Sequence, residues 1–447
     1  MLGYPLVTRA LLVAATVAYL AAMALPASAR TLIRDADIEY ALDQLARPLI
    51  IAAGLSPARI DVLVIKDDQM NAFIVDDRAI YLNSGLILRL DEAAELQAVI
   101  AHEIAHIANG HITRRITNRR GTNSSAVGVA TALAVAAALA GEAQAGGAAV
   151  IGTVSSANRR FLSHTRAEEA AADNSALRYM AEAGVDPAAM TAVLDRFRGQ
   201  EVLSPSRQDP YVRAHPLTRD RIRAVKGLAA ALGAPQSSDP QANYWFLRAQ
   251  GKLGAFLRAP KWTLRRVDRG DTSDVGLMRK AVAHHRNADT DRAMSEIDAL
   301  VRKRPNDPFV HELRGQILLE SRNFNAAINA YARAADLAPN HPLILAGLGQ
   351  ALLTREDAAS ARRALQALEA ARSRDGRNPR LLRDLAQAYA RTGNGGMASL
   401  ATAERYAVIG RVKDAAIHAQ RAAGALPNGS LGWRRADDLL RAIENAS

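Results

Sequence analysis

Two histidines and a glutamate within residues 101–106 have the types and spacing needed for metal chemistry. His102 and His106 are four residues apart, so on a helix their imidazoles share one face, about 6 Å apart, and can reach the same ion. The Glu103 carboxylate can then accept a hydrogen bond from a water on that ion. The chain contains no cysteine, so a metal must be held by His, Asp or Glu. A pair of satisfied core histidines is the alternative, but two buried imidazoles and a carboxylate on one turn are costly without a metal.

A catalytic zinc site needs a third protein ligand, with the fourth position left for water. His111 is close in sequence, but Asn109 and Ile112 stand where the metzincin pattern has Gly and His. His111 also lies nine residues from His102, which predicts that it points to the opposite side of the helix. We therefore do not expect His111 to be a ligand.

A second candidate for the third ligand lies in residues 166–173. Glu169 and Asp173 share one face of a predicted helix, and the alanines around them allow another helix to pack closely. Glu169 could bind the metal while Asp173 accepts a hydrogen bond from a ligand histidine. A solvated acidic pair explains the same spacing equally well.

The composition indicates a mostly helical globular protein with more than one domain. At 447 residues the chain is too long for a single small module, and 49% hydrophobic with 23% charged residues argues against wholesale disorder and against a multi-span membrane protein. Aromatic residues make up only 4%, which favours helices over an all-β sandwich. The expected fold class is α+β, mostly helical.

The first 29 residues are typical of a secretory signal peptide. Arg9 precedes an apolar run over residues 10–25, and Ala27-Ser28-Ala29 is a small-x-small cleavage pattern. An uncleaved anchor is the alternative, but the run is short for one. We expect cleavage after Ala29 and export to the periplasm.

The net charge of +12 suggests what an exported chain meets. Anionic lipid headgroups or lipopolysaccharide are expected neighbours, including peripheral contact with an anionic membrane surface, whereas nucleic acid is not. Because the basic residues are dispersed among acids on helical faces, we favour a solvated helix surface over a specific anion site.

The chain divides into zones. Residues 30–236 form the first expected domain, in which a helix over residues 35–53 precedes strands at 61–65 and 79–82 and a long helix from about residue 91. Its Ala/Gly-rich insert, residues 121–158, is a buried helical hairpin, a lid or a segment on a membrane surface. Residues 237–272 read as a connecting helix and linker.

Residues 273–447 contain a 34-residue repeat. Pro305-Asn306 recurs at Pro339-Asn340, Gly315 recurs at Gly349, and alanines occupy one column at positions 293, 327 and 361. This period and these small-residue columns are typical of tetratricopeptide helix pairs, which stack into a solenoid. Such a domain implies binding of partners rather than catalysis.

Four segments, in this order, resemble the gluzincin metallopeptidases of the HtpX and CAAX prenyl protease family. They are Asn71-Ala72-Phe73, residues 80–86, the His102–His106 motif, and Glu169 with Asp173 in residues 166–173. The export signal and the repeats make the soluble periplasmic branch the nearest match. The resemblance implies a zincin-like metallopeptidase domain with a small β-sheet, followed by an all-α tetratricopeptide solenoid.

The resemblance also assigns residues. It makes Glu169, rather than Glu168, the third zinc ligand, and it matches the family's later His-Pro and Arg to His215-Pro216 and Arg221. The resemblance therefore implies that His215 and Arg221 are catalytic residues, together with Glu103. His215 is then expected to hydrogen-bond the developing oxyanion, or to occupy the open coordination site and hold the enzyme inactive. Ordering the turn before Pro216 is the structural alternative.

These features predict a zinc-dependent endopeptidase with one Zn²⁺ per chain, in which Glu103 is the general base. The strand around residues 71–75 is expected to pair with the substrate backbone. As the resemblance implies, the repeats would recruit misassembled outer-membrane barrel proteins and their assembly machinery. The alternative is an assembly factor or chaperone with a largely latent peptidase domain. Intramembrane processing would require several spanning helices, which the sequence does not show.

Overall fold

The computed structural model describes residues 31–114, 165–200, 203, 207–235 and 239–444. The predicted signal peptide and the 121–158 insert lie outside these residues. The architecture is α+β and mostly helical, as predicted: a small sheet and its helices come first, and a helical solenoid follows.

Four strands form one mixed sheet in the order β1-β2-β4-β3. Strands β2 and β4 are parallel, while β1 and β3 pair antiparallel on the two sides. The predicted strands at 61–65 and 79–82 are confirmed as β2 and β4, whereas sequence patterns missed β1 and β3, each of three residues. The strands are β1 (Thr31–Ile33), β2 (Asp61–Lys66), β3 (Ala72–Ile74) and β4 (Ala79–Asn83).

Seven helices lie entirely within the described residues up to 235, in addition to the helical residues 111–114. Helix α1 begins where the Asp35 side chain accepts hydrogen bonds from the backbone of Asp37 and Ile38. The helices are α1 (Ala36–Ala52), α2 (Ser84–Ile87), α3 (Ala93–Ala108), α4 (Arg166–Glu182), α5 (Ala188–Arg196), α6 (Pro210–Ala214) and α7 (Arg219–Leu232).

Helix α3 lies in the middle of the first core and is buried along most of its length. Leu96 and Ile100 are fully buried against α1, and the one carboxylate in its first turn, Glu95, pairs with Arg196 at 2.7 Å. Helix α4 begins with a capping box between Thr165 and Glu168 and lies beside α3. Its face is flat enough for close approach because it is made of small buried residues such as Ala172.

The remaining helices form the connection and the solenoid. Helix α8 contacts both α1 and α10, and consecutive helices then stack in pairs. The 34-residue columns have a steric cause: a Cβ on Gly315 would lie 2.7 Å from the Tyr331 ring, so the helices cross only with glycine there. The elements are α8 (Pro240–Leu257), α9 (Pro260–Arg266), α10 (Asp274–Arg286), α11 (Thr290–Lys303), α12 (Pro308–Glu320), α13 (Phe324–Leu337), α14 (Pro342–Leu352), α15 (Ala358–Arg372), α16 (Pro379–Arg391), α17 (Gly395–Val408), α18 (Val412–Ala425) and α19 (Leu431–Glu444).

A buried charge network joins α1 to α8. The Arg248 guanidinium on α8 bonds to Asp37 and Asp307, each at 2.6 Å, and the Lys252 ammonium lies 2.9 Å from Asp35. No helix among the described residues combines the length and apolarity needed to cross a bilayer.

Candidate metal centre

Three helical elements bring four potential metal ligands together. His102 and His106 project from α3 towards Glu169 on α4, and His215 is the residue that ends α6. One ligand atom from each of the four lies within 4.8 Å of the others, and all four side chains are buried. Within the described residues, this is the one such group of three or more His, Asp or Glu side chains.

The two histidines and the glutamate converge as the helix spacing predicts. The Nε2 atoms of His102 and His106 are 3.1 Å apart. Glu169 spans both of them, with Oε2 at 3.4 Å from Nε2 of His102 and Oε1 at 3.4 Å from Nε2 of His106. These separations leave the three donor atoms around one common point.

His215 lies inside the cluster rather than at its edge. Its Nδ1 is 3.2 Å from His102 Nε2 and 3.1 Å from Glu169 Oε1. Its Nε2 faces the other way, 3.3 Å from Glu103 Oε1 and 3.4 Å from the carbonyl oxygen of Ala72. The ring of Tyr211, one turn earlier in α6, packs against it with centroids 4.7 Å apart. Sequence reasoning did not identify Tyr211, since the contact depends on how the short helix α6 docks.

Asp173 and Arg221 lie behind the ligands. Asp173 Oδ1 is 3.0 Å from His102 Nδ1, the ring nitrogen that faces away from the cluster. Arg221, on α7, donates from Nη2 to Asp173 Oδ1 at 2.9 Å and places Nη1 2.7 Å from Glu169 Oε2. One guanidinium therefore contacts the carboxylates of both Glu169 and Asp173.

The expectation that His111 points away from the site is wrong. Helix α3 ends at Ala108, and Gly110 has φ +66°, so the chain turns before helical residues 111–114. This turn brings His111 Nδ1 to 2.8 Å from His106 Nδ1, with both side chains buried. His111 is thus a hydrogen-bond partner of a ligand. The Asn109-Gly110 pair is the sequence signal for such a turn.

The electrostatics favour charged carboxylates around the cluster. Burial alone would raise the pKa of Glu169, but the charges of His215 and Arg221 and the hydrogen bonds of His102 and His106 hold that pKa well below its usual range. Burial likewise opposes ionisation of Asp173, and Arg221 nevertheless keeps its pKa low. Glu169 is therefore an anionic donor at neutral pH.

The two histidines of α3 differ. Burial disfavours the charged form of both, but hydrogen bonds to Asp173 and Glu169 outweigh it at His102 and raise its pKa to about 10. At His106 burial wins and lowers the pKa to about 3, so this imidazole is neutral. A metal at Nε2 of His102 must consequently displace a proton.

Glu103 has the burial and the raised pKa expected of a general base. Its side chain is completely buried, and neither carboxylate oxygen accepts a hydrogen bond from the described residues. Burial raises its pKa, against the opposing charges of His215 and His102. A carboxylate with a raised pKa accepts and returns protons more readily near neutral pH.

The predicted substrate strand borders the site. Asn71 leads into β3, which contains Ala72 and Phe73 and is at one end of the strand order. Antiparallel pairing sets Phe73 opposite Tyr81 of β4, and their rings stack 5.5 Å apart. The carbonyl of Ala72 is the backbone group that approaches His215.

Comparisons of sequence and structure relate the chain to known proteins. Residues 34–229 match peptidase family M48. The β-barrel assembly-enhancing protease of Escherichia coli (strain K12) is 26% identical over 425 residues, covering 92% of this chain and 85% of that protein. Metalloprotease LoiP of the same strain is 27% identical over 210 residues, covering 45% of this chain and 75% of LoiP. Among solved structures, MamA from Desulfovibrio magneticus RS-1 covers 40% of this chain and 97% of its own, with 17% identity and a TM-score of 0.30.

Proposed function

We propose that the chain is a zinc-dependent endopeptidase of the periplasm, starting from the match of residues 34–229 to peptidase family M48. The observation that carries the proposal is the convergence of His102, His106 and Glu169 with Glu103 beside them. Helices α3 and α4 each supply part of this set, and the close packing of the two helices fixes their separation.

The donor set fits zinc. Zn²⁺ is held by imidazole nitrogens and a carboxylate in four-coordinate sites, whereas Ca²⁺ and Mg²⁺ prefer oxygen ligands. Three of the four candidate ligands here are imidazoles, and Glu169 is the anionic donor. When bound, a zinc ion would polarise the scissile carbonyl and lower the pKa of a water molecule towards ~7.

The chain's own residues then perform proton transfer and positioning. Glu103 takes a proton from the attacking water and returns it to the departing amine, a role that suits its complete burial and the raised pKa that burial causes. Asp173 accepts from His102 Nδ1 and thereby fixes which nitrogen faces the metal. Arg221 contacts the carboxylates of Glu169 and Asp173, so we assign it a positioning role instead of the catalytic role expected from the sequence.

Of the three roles that the sequence leaves open for His215, we propose that it occupies the open coordination site and holds the enzyme inactive. Its Nδ1 lies with the other ligand atoms, where it can fill the fourth position in this conformation. Substrate would then have to displace the His215 imidazole from this position. The displaced imidazole could then donate a hydrogen bond to a developing oxyanion. His215 also contacts the carbonyl of Ala72 in the substrate strand β3. Displacement of the imidazole would therefore change a contact with the strand that can pair with an extended polypeptide.

The substrates we propose are misfolded or misassembled envelope proteins, in particular outer-membrane barrel proteins. Two observations support this: the likeness over 92% of the chain to a protease named for β-barrel assembly, and a repeat solenoid of a kind that binds proteins. The repeats would recruit these proteins and their assembly machinery. Cleavage after Ala29 would deliver the chain to the periplasm.

Replacement of the base tests the proposal. Glu103→Gln should keep zinc while abolishing cleavage of casein or of an unfolded barrel protein, because the amide cannot accept the proton. Glu182→Gln is the matched control, since Glu182 lies exposed at the end of α4. Substantial cleavage by Glu103→Gln, with the control unchanged, would refute the assignment.

The alternative is an assembly factor with a largely latent peptidase domain. Burial of all four ligand side chains, with His215 among them, favours it. Cells that carry Glu103→Gln distinguish the two functions. Rescue of an envelope defect by this variant would favour the assembly factor, and failure to rescue would favour the enzyme.

A further inference from the structure

A cationic surface surrounds helix α9, in the connection between the two halves of the chain. The Trp262 ring is partly buried, and the guanidinium carbons of Arg258 and Arg266 lie 4.0 and 4.2 Å from its centroid. Such stacking holds two guanidiniums in fixed positions without neutralising their charge. We call this surface the Trp262 surface; it consists of Trp262 and the six cations Arg258, Lys261, Arg265, Arg266, Arg269 and Arg279.

The cations of this surface are more numerous than the acids among them. Asp268 and Asp271 are the acids, and both accept backbone hydrogen bonds in the turn after α9. No ion pair connects the cations to a carboxylate in the described part of the chain. Nearby cations behave differently: Lys303 and Arg304 both pair with Asp274.

The Arg258 guanidinium is repelled by two others, those of Arg266 and Arg279. Burial lowers the pKa of Arg258, and the charge of Arg266 lowers it further. Burial also lowers the pKa of Arg279, where the charge of Arg258 acts in the same direction against that of Asp271. Because Asp271 offsets this repulsion at Arg279 but no carboxylate of the described residues offsets it at Arg258, an external anion that binds beside Arg258 and Arg266 would be stabilised by their charges.

We propose that the Trp262 surface docks onto the phosphate headgroups of an anionic phospholipid membrane. Arginines bind phosphate in a bidentate manner, and the stacking on Trp262 holds two of them in place for such contacts. A protein partner fits less well, because interfaces between proteins have an apolar centre. Here the large apolar group is Trp262, and arginines cover its ring.

Vesicle co-sedimentation of the full chain tests the proposal without any need for peptidase activity. Wild-type protein should bind vesicles of phosphatidylcholine and phosphatidylglycerol, and should bind pure phosphatidylcholine vesicles far less. Arg265→Gln with Arg266→Gln should lower the partition coefficient roughly 30-fold, since each basic residue near an anionic surface contributes about 1 kcal/mol. Added salt should reduce wild-type binding.

The control is a second pair of adjacent, exposed arginines on a helix. Arg362→Gln with Arg363→Gln on α15 removes the same charge and leaves the rest of the chain identical. This control should change the partition coefficient less than about twofold, because a charge beyond a Debye length of ~8–10 Å from the lipid is largely screened. A third pair, Lys261→Gln with Arg265→Gln, leaves the stacked guanidiniums in place and should reproduce the loss.

Three outcomes would overturn the proposal. Equal losses in the α9 and α15 pairs would mean that only net charge matters. Binding unaffected by the α9 pairs would place the membrane contact elsewhere. Failure to bind anionic vesicles, with binding to poly-glutamate that the α9 pairs abolish, would assign the surface to an acidic polypeptide.

Discussion

Removal of the His111 side chain should weaken zinc binding although His111 is not a ligand. If zinc occupies Nε2 of His106, the proton of that neutral imidazole must be on Nδ1. His111 Nδ1, at 2.8 Å, is then the acceptor, and its own proton must be on Nε2. His111→Ala leaves the His106 N–H without this acceptor in a place where the ring is completely buried.

The magnitude follows from that burial. A buried donor left without a partner costs about 1–3 kcal/mol, which corresponds to roughly a 5- to 150-fold loss of zinc affinity. This range overlaps the ~10–100-fold typical for groups that orient a metal ligand. Without zinc the proton of His106 can move to Nε2, so most of the loss should appear in the metal-bound state.

The assay is competition for zinc between the protein and a chromophoric chelator, with thermal unfolding of the metal-free protein measured in parallel. His111→Gln offers an amide oxygen as acceptor and should recover part of the affinity. His418→Ala, which removes a histidine from α18, is the control. Zinc affinity of His111→Ala within twofold of wild type, with an unchanged fold, would refute the reasoning.

Three further predictions concern the metal-ligand cluster and the contact between Lys252 on α8 and Glu312 on α12. Glu169→Ala should lower the zinc content measured by elemental analysis, and a full complement of zinc would exclude Glu169 as a ligand. His215→Ala should retain zinc and change the rate of casein cleavage; an unchanged rate would leave His215 a structural role. Burial raises the pKa of Glu312, beside Lys252, to about 7. The folded state therefore holds this proton more tightly than the unfolded state, and stability should fall as pH rises from about 4.5 to 7. Glu312→Gln should flatten that part of the pH dependence of thermal unfolding, and an unaltered slope would contradict the assignment.

The parts of the site that could be predicted from sequence are those set by helix periodicity. The pairing of His102 with His106, and of Glu169 with Asp173, depends only on a spacing of four residues within one helix. The repeat was equally accessible, because the steric limit at Gly315 recurs at Gly349. In each case a local rule fixes which side chains share a face.

The parts that sequence reasoning missed depend on single backbone angles or on long-range docking. His111 was misplaced because one residue, Gly110, with φ +66°, redirects the chain after α3. The position of His215 depends on how the five-residue helix α6 packs against β3 and α4, and no period reports that. Strand β1 was missed because three residues carry too little alternation to be recognised.

The connection predicted over residues 237–272 forms buried ion pairs with α1, which its composition does not indicate. Asp37, Arg248 and Lys252 are almost completely buried, although all three are charged. Removal of one partner from a buried ion pair costs about 3–5 kcal/mol, because the other charge stays uncompensated. Helix α8 therefore belongs as much to the core of α1 as to the solenoid. Since α1 also packs on α3, which carries His102 and His106, α8 contacts the helices that lie next to the metal ligands as well as the first repeat.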